Sequence, residues 1–166
     1  MVNLTKSHRD VFQLEVFSEP VLVEEWVQGK RSCSVSLFAR HVLQQRMQDC
    51  CLGNLKYSFD VISGQNFPTC DRITQKIDKT AKRFGLNRPP WQYALLLADN
   101  LDTEHFKTMN VSSIVVMHQP IMHPDGPNLF GILNNRGSMY LGAYFGHPGG
   151  QWLADTGFAY VSCSKN

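Results

Sequence analysis

Between Ser112 and Cys163 the chain divides into four short apolar segments: SSIVVMHQPI, NLFGIL, SMYLGAYF and WLADTGFAYVSC. Turns rich in Gly, Pro and Asn separate them. Segments of this length alternating with such turns read as strands. The turns are too short to carry crossovers between parallel strands, so the spacing predicts an antiparallel C-terminal meander. Everything upstream must then build a core against that sheet.

The upstream pattern supplies both helices and strands. FQLEVF at 12–17 alternates as a strand does. Ser18, Pro20 and Gly29 frame a helix over 19–28 that turns Val23, Trp26 and Val27 to the core. Ser32 is a cap candidate for a second helix, which carries Val35, Phe38, Ala39 and Val42 and runs to about Cys51. A strand follows at Lys56–Ser63. Helix 70–84 shows Ile73, Ile77, Ala81 and Phe84 on one face, with Lys82 and Arg83 at its negative end. The continuous apolar run WQYALLLA, 91–98, suits a strand covered on both faces. Asp102 or Thr103 caps a short helix holding Phe106 and Met109. The expected architecture is α+β in a single domain over 1–166. Its sheet is mostly antiparallel, and the helices pack on one face.

Composition narrows function by exclusion. The 166 residues are 43% apolar and 18% charged with net charge +2, which describes a globular chain with a core. No basic stripe is present, which argues against a nucleic-acid partner. Five cysteines, one adjacent pair and no C-x-x-C argue against a disulfide framework or a zinc ribbon. The N-terminus has no signal-peptide h-region, and the longest apolar run, Ala94–Ala98, is too short for a membrane span. A cytoplasmic location away from membranes is expected. The glycines from Gly137 to Gly150 lack the phosphate-loop pattern, and Gly146–Gly150 reads as a hairpin turn, with a bulge at Gly142. No cofactor is expected.

Three constellations carry possible chemistry. If Ser32 and Thr69 are caps, Cys33 and Cys70 open helices, where the dipole would stabilise a thiolate. A cysteine that opens a helix, followed by an antiparallel sheet supplying His118 or His123 as base and Asn134 as orienter, resembles the layout of papain-like cysteine hydrolases. The resemblance implies Cys33 as nucleophile. The second constellation is His118, His123 and His147, which with Asp125 could ligate a metal; Pro120 and Pro124 place them in loops. The third is aromatic. Alternation sets Tyr140 and Tyr144 opposite Met139, Leu141 and Ala143, and Trp152 follows nearby. An aromatic sheet face left open by the helices is a good protein-binding surface.

The leading expectation is therefore a macromolecule-binding accessory protein, on the scale of an inhibitor, immunity or phage-type factor, that binds a protein through Tyr140, Tyr144 and Trp152. The thiol hydrolase is the alternative, and a histidine-ligated metal enzyme is third.

Overall fold

The computed structural model describes residues 2–6, 11–18, 22–46 and 55–162. Its frame is a ten-stranded mixed, mostly antiparallel sheet, and the fold is α+β. β1 (Val2–Lys6), β2 (Val11–Ser18) and β4 (Leu55–Ser63) form one antiparallel wing. β6 (Ser113–Val116), β8 (Gly126–Asn135) and β9 (Ser138–Phe145) form the other. β10 (Thr156–Ser162) joins the wings, antiparallel to β4 and parallel to β6. β3 (Ser34–Val35) covers two residues of β9 at the far edge. β5 (Leu86–Asn87) and β7 (Ile121–His123) are short pieces paired with β10 and β8.

The meander is present as consecutive antiparallel strands β7, β8 and β9, with no helix between Asn128 and Phe145. Its fourth segment departs from expectation. The chain after β9 makes no hairpin at Gly146–Gly150 but travels to the other side of β6. Thr74 and Gln75 donate their amides to Gly150 and Pro148 on the way, which ties this passage to a helix end. The expected bulge at Gly142 is also absent, because the β8–β9 register runs unbroken from Asn128↔Phe145 to Asn135↔Ser138. Gly142 instead faces Gly131, and a Cβ on Gly131 would lie 2.8 Å from both the Tyr144 ring and the Ile114 carbonyl. The glycine there admits an aromatic ring laid across the strands.

Both faces of the sheet carry buried clusters. On the first, Leu14, Phe59, Val116, Phe130 and Leu141 pack beneath α1 (Val23–Val27), α2 (Leu37–Gln44), α4 (Tyr93–Asn100) and α5 (Thr103–Met109). On the second, Ile62, Val115, Leu129, Phe158 and Tyr160 pack with α3 (Thr74–Arg83). The helices thus divide four to one between the faces, among the described residues, and are not confined to one.

Several local readings change for identifiable reasons. From Tyr93 the run at 91–98 is helical: α4 holds Ala and Leu but no β-branched residue, and it is buried all round over Ala94–Ala98. An all-apolar run has no period, so a buried helix and a buried strand look alike in sequence. α2 is capped four residues later than expected, by Ser36, whose Oγ accepts from the Ala39 amide at 3.2 Å. Ser34 and Val35 pair with β9 instead. The expected extension of α2 to Cys51 lies outside the described residues. Thr69–Asp71 is a 3-10 turn, and α3 starts only at Thr74. Ile77 and Ala81 are buried as expected, but Phe84, at the C-cap, is exposed.

Candidate functional site

β6 ends at Val116, beside Ala159 of its parallel neighbour β10, which runs on to Ser162, and there the sheet divides. Past Val116 the chain leaves the ladder after one more bond, Met117 N–H to the Ala159 carbonyl at 3.0 Å. β10 then pairs with β5 on that side, while β8 pairs with β7. Residues 117–120 cross the gap. Crevices where neighbouring strands diverge at their carboxyl ends are favoured ligand positions in sheets with helices on both faces.

His118 sits in the gap and takes over a ladder bond. Its Nε2 accepts from the Phe130 amide at 2.9 Å, and its Nδ1 donates to the Gln119 carbonyl at 2.7 Å. Those two bonds require the neutral ring. The residue is 1% exposed, and burial pushes its pKa down to about 4, against a smaller raising effect of the Gln119 bond.

Arg88, next after β5, reaches across the division. Its Nη1 donates to the His118 carbonyl at 3.1 Å, and its Nη2 pairs with Asp78 Oδ2 on α3. The other Asp78 oxygen accepts from the Tyr160 hydroxyl at 2.8 Å. Burial, and secondarily the Asp78 charge, raises the Tyr160 pKa, so the phenol stays a donor. One carboxylate thereby links α3, β10 and, through Arg88, the start of the 117–120 crossing.

Above this network lies an open crevice of about 600 Å³. Its lining includes Asp78, Lys82 and Arg88 together with Pro120, Met122, Pro127 and Pro148. Met122 is 70% exposed although it belongs to a strand. Strand alternation explains this: Ile121 and His123 face the α2 side, which leaves Met122 on the α3 side where no helix covers it.

Among the described residues no hydrogen bond joins Cys33 to His118 or His123, the pairing expected for a hydrolase. Cys33 opens no helix. It lies in a bend before β3, is 3% exposed, and its thiol donates to the Ser34 carbonyl at 3.5 Å. Burial pushes its pKa up to about 11, opposed by a bond with the Leu141 backbone and helped by the charge of Asp99. Such a thiol carries little thiolate at neutral pH, which argues against Cys33 as the nucleophile. His118 has both nitrogens committed and is no free base. Asn134 closes the β8–β9 turn, its Oδ1 accepting from the Gly137 amide at 3.1 Å. Cys70 is exposed in the 3-10 turn.

The three metal candidates also go separate ways. His123 packs its ring edge-on against Phe38 and His41, at 5.1 and 5.2 Å between centroids, and its Nδ1 accepts from the Asp125 amide at 3.3 Å. His147 stacks on Phe145, and its Nδ1 accepts from the Gly149 amide at 3.1 Å. Among the described residues no group of three His, Cys, Asp or Glu could hold a metal ion.

The aromatic face is partly filled. Tyr144 and Trp152 lie 6.1 Å apart, and Trp152 is buried against Phe158 with its Nε1 donating to Thr74 Oγ1 at 3.0 Å. Burial raises the Tyr144 pKa. These two rings serve the second-face core, and Tyr140 stays half-buried. The expected alternation itself holds, since Met139, Leu141 and Ala143 pack on the other face. Sequence reasoning missed Asp78, Lys82, Arg88 and Met122. Arg88 inside the stiff run Asn87-Arg88-Pro89-Pro90, and Asp78 as the one acid in a basic helix, were the available signals.

Among the described residues, no helix is long and apolar enough to cross a membrane. Comparison with protein-family models, with curated proteins and with solved structures yields no match.

Proposed function

We propose that the chain is a binding protein for another protein, and that it recognises its partner at the crevice where the sheet divides. The observation that carries this reading is Met122. A strand-borne methionine at 70% exposure, bordered by Pro120, Pro127 and Pro148, is an apolar anchor that the fold itself leaves uncovered. Prolines lose little entropy when a partner docks on them, and the neighbouring Arg88–Asp78 pair is held rigid by Tyr160 and the His118 carbonyl. The crevice therefore replaces the expected surface of Tyr140, Tyr144 and Trp152, of which Tyr144 and Trp152 support the core.

Selection of a displayed random-peptide library on the folded protein tests this. Peptides should be enriched, and Met122→Asp should weaken their capture by roughly tenfold or more, as loss of a central anchor does. Tyr140→Ser, away from the crevice, should leave capture unchanged. Equal capture by the folded Met122→Asp protein would remove this site as the recognition surface.

A further inference from the structure

We infer that the segment received by the crevice is acidic: an extended stretch of a partner protein that carries carboxylates beside an apolar anchor. The inference rests on the binding reading above and adds the chemistry of the occupant.

Charge on this side of the molecule is one-sided. From Thr69 to Arg88 the chain holds Arg72, Lys76, Lys79, Lys82, Arg83 and Arg88 against only Asp71 and Asp78. Both acids are already engaged, Asp71 by Lys76 at 2.5 Å and Asp78 by Arg88 and Tyr160. Lys82 lines the crevice and makes no ion pair with a described residue. The Asp78 charge cancels that of Arg88, so Lys82 gives the crevice a net positive charge, and the outer side of α3 extends it through Lys79 and Arg83.

The shape of the site selects among anionic partners. Besides Lys82 the lining holds Met122 and the prolines, which offer aliphatic walls. Nucleic acid is held by cations interleaved with open aromatic rings. No residue lining the crevice is aromatic; Tyr144 and Trp152 pack with the second-face core, and Phe145, exposed beside Gly146, has its ring stacked on His147. A carboxylate on Lys82 combined with an aliphatic side chain on Met122 fits a peptide.

The same library selection, read by sequence and competition, provides the test. Enriched peptides should combine Asp or Glu with an aliphatic residue, and their capture should fall with added salt. Lys82→Glu, an exposed change checked by circular dichroism, should weaken capture roughly fivefold or more and shift enrichment toward basic peptides. Enrichment without acidic bias, or unchanged preference in folded Lys82→Glu, overturns the inference while leaving the crevice as a binding site. Failure to enrich any peptide overturns both. Displacement of the acidic peptides by a single-stranded oligonucleotide at equal charge concentration also overturns it, in favour of a nucleic-acid site.

Discussion

His118 shows how one side chain can act as backbone. Its Nε2 fills the acceptor position that β6 vacates when the ladder breaks, which lets β8 continue past the division with its Phe130 amide satisfied. The cost is pH sensitivity, and its sign is determinate. The folded-state pKa, about 4, lies below the ordinary value of 6.5, so the unfolded chain takes up the proton first. Stability from the neutral ring is complete above about pH 6.5 and is lost as pH falls toward 4, by up to about 3 kcal/mol. Urea titrations across that window should show the loss. His118→Phe should remove this contribution to the slope and cost about 1–3 kcal/mol at neutral pH by orphaning the Phe130 amide. A variant with the same pH slope as the parent would contradict the assignment. At Cys33 the thiol is both buried and weakly acidic. Site-resolved iodoacetamide labelling at about pH 8 should modify exposed Cys70 first and Cys33 only at the rate of unfolding. Prompt labelling of Cys33 in the folded protein would reopen the nucleophile reading.

At the scale of elements, α3 does two jobs with two faces. Thr74, Ile77 and Ala81 bury against the second face of the sheet, while Lys76, Lys79 and Arg83 remain in solvent. Asp78, between them, faces Arg88 and Tyr160. Ile77 is fully buried, so Ile77→Ala should cost about 2–5 kcal/mol through the cavity it leaves. Arg83→Ala should change stability by no more than about 0.5 kcal/mol. Denaturant midpoints for the pair measure both, and a loss at Ile77 as small as that at Arg83 would contradict the assigned face. α4 makes the complementary point: it has no polar face because the sheet and the neighbouring helices enclose it.

For the whole molecule, β10 is the keystone. It is last in the chain among the described strands, yet it sits between β4 and β6, and its pairings are what join the two wings. Phe158, Ala159 and Tyr160 also contribute to the clusters on both faces. A protein ended after Asp155 should therefore lose cooperative thermal unfolding and native near-ultraviolet dichroism, and not merely one edge. Retention of a sharp transition would show that the wings fold without their junction. Because pairings such as Val61↔Ala159 span most of the chain, refolding should be slow for the chain's size, in the range of about milliseconds to seconds.

Local physics was enough for much of this. Strict alternation placed β2, β4 and β9 and assigned Met139, Leu141 and Ala143 to the face opposite Tyr144, because a strand's side-chain period is two whatever lies beside it. Asp102 capped α5 as its chemistry demands, with His105 completing the box. The α+β class followed from those elements. Tertiary structure alone decided what depends on neighbours distant in sequence. It set β10 beside β6 instead of β9, made the unpatterned run of α4 helical, and put α3 on its own face. It also withdrew Cys33 from any helix end, because Ser34 and Val35 met β9 first. The crevice belongs to this second group: Asp78, Arg88 and Met122 are far apart in the chain, and only the division of the sheet brings them to one opening. Periodicity reports which face a residue takes; it carries no information about which strand will stand beside it.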